Sequence, residues 1–201
     1  MPIAKIARFF RESHGTHRGF VRTLLAELEY VLGRLDAFVQ PELKDVERLV
    51  FVCQGNICRS CYGDWLARRL GLNACSFGLA TTTNQPAFPD AVEAAARFGV
   101  DLGAHRTTDV RDFKPLPGDL YLVMEPRQAR RLQQLAFAQR IALLGAWASP
   151  HRMHLHDPHT LSRGYFQTCF TLIHSAVVNL AYELAESGSP AAKNATVARR
   201  N

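Results

Sequence analysis

No uninterrupted apolar run in the 201-residue chain approaches the roughly 18 residues that cross a bilayer, so no transmembrane segment is expected. Paired cysteines are also missing. Cys53, Cys58, Cys61, Cys75 and Cys169 are odd in number and follow no disulfide-framework spacing, which argues against a stapled secreted scaffold. Their scatter suits a reducing compartment, and a cytoplasmic location is the expectation. A second Cys-x-x-Cys knuckle is lacking too. A zinc set built from Cys53, Cys58 and Cys61, with His105 or His156, has no clean other half, and Arg59 inside the loop opposes a cation; neither metal nor cofactor is expected. The formal charge of +6 raises the question of nucleic acid, but the arginines are scattered and no nucleic-acid-binding motif accompanies them. Arg68-Arg69 and Arg127, Arg130 and Arg131 read as solvated helix faces, or as a positive field that draws in an anion.

What is present is concentrated between Leu49 and Ser60, which reads L-V-F-V-C-Q-G-N-I-C-R-S. An apolar, β-branched run ends at Cys53. A short polar loop, Gln54-Gly55-Asn56-Ile57-Cys58, leads to Arg59 and Ser60, and the helical pattern Tyr62–Leu70 follows. A buried strand feeding a helix N-terminus presents free backbone N–H groups to an anion. Cysteine beside such positive potential is readily a thiolate. Arginine supplies a planar fork of donors for phosphoryl oxygens. Gly55 lets the loop turn, and Ser60 can donate to the Cys53 sulfur. Phosphate-ester chemistry also needs an acid for the leaving oxygen. Asp157, held beside Pro158, is the candidate.

Cys53 to Ser60 resembles the signature of the low-molecular-weight protein tyrosine phosphatases, and the likeness extends over roughly Glu47 to Glu186. The resemblance implies an α/β fold: a four-stranded parallel sheet with helices on both faces and a phosphate-binding loop after the first strand. It implies Cys53 as nucleophile, Arg59 as phosphate clamp and Asp157-Pro158 as the acid loop. Residues Gln54, Gly55, Asn56, Ile57, Cys58, Arg59 and Ser60 would form the phosphate loop, with Asn56, Ser60, Ser76 and His105 as its supports. Cys58 would be the redox partner of Cys53 in a reversible disulfide. The implied activity is hydrolysis of phosphotyrosine or another aryl phosphate through a phosphocysteine, on a phosphotyrosine protein such as a bacterial tyrosine kinase. The rival readings are an arsenate reductase-like enzyme, for which Cys75 and Cys169 are poorly placed as resolving thiols, and a non-catalytic phosphate-binding regulatory module. Three departures stand out. Cys61 replaces the usual proline after the loop serine, Gln54 fills the variable place beside the nucleophile, and His159-Thr160 stand where aromatic residues often line the cleft. Phe77, Phe88 and Tyr165 are candidates for a replacement aromatic wall.

Strand and helix patterns alternate through the rest of the chain: strands at Asn73–Gly78, Asp119–Met124 and Arg140–Leu144, helices at Phe88–Phe98, Pro126–Leu135 and Phe166–Leu184. Such alternation predicts a parallel sheet with its functional loops at the strands' carboxyl ends. Residues 1–46 form an extension that compact family members lack. There a basic segment, Ile3–Arg11, precedes an amphipathic helix predicted over Phe20–Val39, its stripe running through Phe20, Leu24, Leu28, Val31, Leu35 and Phe38. The stripe is expected to pack on its own domain or to form a homodimer. Glu27, Glu29 and Asp36 among the basic residues speak against a membrane surface. The expected organisation is an extension at 1–46, a catalytic domain at 47–186 and a loose basic tail at 187–201.

Overall fold

The computed structural model describes residues 2–135, 137 and 140–196. The chain opens with two helices, α1 (Pro2–His14) and α2 (His17–Val31), then a 3-10 turn at Asp36–Phe38. Strand β1 (Arg48–Cys53) runs into α3 (Arg59–Arg69), and β2 (Ala74–Gly78) is followed by α4 (Pro89–Ala96). Next come β3 (Asp119–Val123), α5 (Pro126–Gln133), β4 (Ile141–Leu143) and the long α6 (Arg163–Glu186). The four strands form one parallel sheet in the order β2-β1-β3-β4. Val50 pairs with Cys75 on one side and with Tyr121 on the other.

Alternation along β1 splits the core into two layers. Leu49, Phe51 and Cys53 face α3, α4 and α6, packing with Tyr62, Phe166 and Phe170. Val50 and Val52 face the other way, toward Ala129 and Leu132 of α5 and toward Ala26, Leu35 and Phe38 of the extension. Gly63 allows α3 to lie directly on the sheet, since a Cβ there would come within 2.6 Å of the Phe51 ring. Pro89 and Pro126 open their helices, where a missing N–H costs nothing.

The extension departs from its predicted form. Instead of one helix over Phe20–Val39, α2 stops at Val31, because Gly33 takes a left-handed conformation at φ 71°. Arg34 N donates to Glu29 O and Gly33 N to Tyr30 O, the paired bonds of a glycine-terminated helix end. The turn carries Leu35 and Phe38 onto the sheet. The rest of the stripe is not packed on the domain: Leu24, Leu25 and Leu28 are more than half exposed and Val31 is 78% exposed. α2 meets the domain through its small residues, Gly19, Thr23 and Ala26.

The tail differs too. Ser189 Oγ donates to Val46 O at 2.7 Å, Ala191 is buried with its N–H on the same carbonyl, and Thr196 N reaches Leu70 O. Residues 187–196 are therefore docked at the edge where the strands begin, while 197–201 lie outside the described residues.

Candidate active site

β1 ends in the sheet's centre, so Cys53 sits at a carboxyl end with a strand on each side. Its thiol is buried, 3.0 Å from Ser60 Oγ and 3.3 Å from the Asn56 N–H. The sharpest turn of the loop falls at Asn56, with φ 55°, rather than at Gly55. Asparagine tolerates that region better than most side chains, and here its side chain is fully engaged. Asn56 Nδ2 donates to Ser60 Oγ at 2.9 Å and Ser76 Oγ at 3.0 Å, and its Oδ1 accepts from Thr108 N at 3.0 Å. Ser76 in turn donates to Asp64 Oδ2, and His105 Nε2 lies 2.8 Å from Asn56 O. All four expected supports are thus brought together around the loop. Gly78 at the end of β2 makes room for them, since a Cβ there would stand 3.0 Å from the Gly55 carbonyl carbon.

Arg59, the first residue of α3, is wholly buried. Its Nη1 donates to Glu125 Oε1 at 2.6 Å and Leu155 O at 2.9 Å, while Nη2 lies 2.7 Å from Asp157 Oδ2. Nε and Nη2 have no well-directed hydrogen-bond acceptor. Burial disfavours an ionised Glu125, but the Arg59 charge, helped by His154 and Arg127, outweighs it and holds the carboxyl at about 2. His154 is itself pushed down to about 4, chiefly by burial. The guanidinium therefore has one edge fixed by Glu125 and one edge turned toward Asp157.

Glu125 was not legible as a site residue in the sequence. Its position just after β3 and before a helix-opening proline was the available signal, because ligands gather at the strands' carboxyl ends. His156 is likewise a site contact that its sequence context does not mark.

Asp157 is about one-third exposed, and its Oδ1 accepts from the His159 N–H. The extension grips the residues leading to it. Arg152 Nη1 donates to Ser13 O at 2.6 Å, Met153 N to Glu27 Oε1 at 2.8 Å, and Thr16 Oγ1 lies 3.2 Å from His156 Nε2. From the other side Tyr165 OH donates to His156 O. A Cβ on Gly19 would sit 2.7 Å from the His156 ring, so α2 passes as close as a helix can.

Of the three aromatic candidates, Phe77 and Tyr165 are core residues. Phe88 flanks the loop: its N–H bonds Ile57 O, and its ring meets His159 edge-on at 4.6 Å. Cys58 and Cys61 are buried and raised well above the usual thiol range by burial, with Cys61 Sγ donating to Cys58 O. Cys75 and Cys169 are pushed up to about 12, again by burial. Among the described residues no cluster of three His, Cys, Asp or Glu could hold a metal ion, and no helix is long and apolar enough to cross a membrane.

A parallel α/β sheet whose central strand delivers a cysteine into an arginine-closed, amide-lined loop defines a class of phosphate-binding protein. Residues 48–190 match the model of the low molecular weight phosphotyrosine protein phosphatase family. The chain belongs to that family. It is 30% identical to the low molecular weight protein-tyrosine-phosphatase Wzb of Salmonella typhi, over 71% of this chain and 98% of the relative. It is 36% identical to the probable low molecular weight protein-tyrosine-phosphatase EpsP of Ralstonia solanacearum, over 44% of this chain and only 62% of that protein. Among solved structures it resembles the tyrosine phosphatase Wzb of Escherichia coli K30 in complex with sulphate, with TM-score 0.60 and 27% identity, covering 69% of this chain and 99% of the other.

Proposed function

We propose that the protein hydrolyses phosphotyrosine and other aryl phosphates through a phosphocysteine. The observation that carries this reading is the buried Arg59 edge beside the Cys53 loop, where Nε lacks an acceptor and Nη2 meets only the Asp157 carboxylate, at 2.7 Å. Unsatisfied buried donors are costly, and two equatorial phosphoryl oxygens complement such a fork. The similar tyrosine phosphatase Wzb of Escherichia coli K30 was solved in complex with sulphate, a tetrahedral oxyanion like phosphate.

In the proposed reaction the Cys53 thiolate attacks phosphorus and the phosphorus–oxygen bond to the aryl group breaks. Asp157 gives its proton to the departing oxygen. Loop amides and Arg59 stabilise the charge on the three equatorial oxygens. A water then attacks the phosphocysteine and passes its proton to Asp157. The thiolate leaves with inorganic phosphate formed, and Ser60 is placed to stabilise the sulfur in both steps. An arriving phosphate dianion competes with Asp157 for Arg59, which releases the carboxyl group for proton transfer. Phe88, with His159 set edge-on against it, offers the aromatic rim against which an aryl ring rests.

The natural substrate on this reading is a phosphotyrosine protein, for which a bacterial tyrosine kinase is the first choice to try, and the thiol chemistry fits a reducing cytoplasm. The test is hydrolysis of phosphotyrosine with chelator present. Activity should persist in the wild type and vanish in Cys53→Ser, which should still bind inorganic phosphate. Turnover in Cys53→Ser, or activity restored only by added zinc, overturns the assignment.

A further inference from the structure

The amphipathicity of α2 is inverted. Its domain-facing side is made of Gly19, Thr23 and Ala26, and its large apolar residues point outward. At 100° per residue, Val21, Leu24, Leu28, Val31 and Leu32 share one face opposite the buried one. All five are at least half exposed, and Phe9 on α1 is 64% exposed. A contiguous stripe of this kind marks a contact surface.

The charges around it choose the occupant. Each carboxylate of the two helices is already engaged. Glu12 pairs with Arg8, Glu27 accepts from Met153 N, and Glu29 pairs with Arg130 of α5 at 2.8 Å. Two of the three are thereby turned onto the catalytic domain. Arg11, Arg18 and Arg34 are exposed and have no ion-pair partner among the described residues, whereas Arg22 turns toward Arg127 and His154 of the domain. Asp36 lies beyond α2, in the turn that returns to the sheet. The acidic residues that argue against a lipid surface in the sequence are therefore largely withdrawn from this face. What remains is exposed leucine and valine edged by free arginine, the composition of a helix lying in an anionic membrane interface. A second copy is less well matched, since a twofold contact would set the same basic edge against itself.

We infer that the outer face of α1 and α2 docks the protein on an anionic lipid surface, in the plane of the interface. The inference does not depend on the proposed activity, because the docking face and the Cys53 loop use different residues.

Flotation of the full-length protein with vesicles tests it. Binding is expected to phosphatidylcholine vesicles containing phosphatidylglycerol, weakening by about tenfold or more when salt is raised or when Arg11→Glu and Arg18→Glu are combined. Leu24→Glu with Leu28→Glu should abolish flotation. Both variants replace exposed residues and should keep the wild-type melting temperature and hydrolysis of a soluble aryl phosphate. Failure of the wild type to float overturns the inference, as does equal binding to vesicles of phosphatidylcholine alone. A wild-type dimer in sedimentation that Leu24→Glu with Leu28→Glu splits into monomers, without flotation, assigns the face to a second copy instead.

Discussion

Arg59 is buried away from water, so its charge is balanced by its neighbours alone. Glu125 holds Nη1 and Asp157 faces Nη2, and neither can be removed without consequence. Glu125→Gln leaves a buried cation half compensated. Loss of one partner of a buried pair costs on the order of 3–5 kcal/mol, which denaturant melts should show together with weakened phosphate binding. Asp157→Ala should instead act on chemistry, lowering turnover of phosphotyrosine by roughly 10²–10⁴-fold. Nitrophenyl phosphate, whose leaving group needs little protonation, should lose far less; equal losses would place Asp157 in binding or folding. Mild peroxide should join Cys53 to Cys58 reversibly, because the Cys61 thiol is committed to the Cys58 carbonyl one turn into α3. Peptide mapping that finds a Cys53–Cys61 link would refute that pairing. At this scale the sequence was most readable where residues act through spacing: Cys53, Asn56, Arg59 and Ser60 lie within eight positions. Glu125 comes from elsewhere in the chain, and only the topology brings it to Arg59; His156 adjoins Asp157, but the Thr16 and Tyr165 contacts that hold it come from distant segments.

The element that matters most for the proposed acid, Asp157, is the stretch from Arg152 to His156. It has little regular structure of its own, and its fixed course comes from α6 on one side and the extension on the other. Loosening that grip should misplace Asp157 without disturbing Cys53. Thr16→Val combined with Glu27→Gln is expected to lower phosphotyrosine turnover several-fold while nitrophenyl phosphate turnover changes little, since only the former depends on an aimed proton donor. An equal effect on both substrates would mean the extension acts on the whole fold. The strands and helices of the catalytic domain were legible to within a few residues, because hydrophobic periodicity and proline-opened helices mark them locally. The extension was legible as amphipathic but not in its orientation. Periodicity shows that a helix has an apolar face and is silent on which face the domain takes. Here Gly19, Thr23 and Ala26 permit the close approach that leucines would block. Gly33 is the local sign that the helix ends early, and a glycine- and alanine-containing tail reads as loose until Val46 and Leu70 supply its partners.

For the molecule as a whole, buried groups set an acid limit to stability, His154 and Glu125 foremost among them. His154 binds its proton at about 4 when folded against 6.5 ordinarily, and Glu125 at about 2 against 4.5. In both cases the unfolded chain takes up the proton first as pH falls, so stability is full above 6.5 and declines below it. His154 contributes to the loss between 6.5 and 4, together with His14, His105, His156 and His174, which burial also lowers, and the glutamate contributes to the loss from 4.5 toward 2. Denaturation midpoints should fall across the upper window in wild type and fall less steeply in His154→Gln; an equal slope in the two proteins would contradict the burial of a neutral His154. Removal of the extension is the larger perturbation. A chain beginning at Glu42 uncovers the sheet face that Leu35 and Phe38 cover, and each such side chain contributes about 1.5–3 kcal/mol when buried. A lower melting temperature at unchanged mass is expected, and an unchanged melting temperature would show the extension to be energetically separate. The central claim, that Cys53 carries the phosphoryl group between substrate and water, has one direct test. Turnover of an aryl phosphate is quenched under denaturing alkaline conditions, and the phosphoryl group is located by peptide mass mapping. The account predicts phosphate on the Cys53 sulfur and on no other residue, with none in Cys53→Ser. Phosphate found on another side chain, or steady turnover by the Cys53→Ser protein, would contradict it.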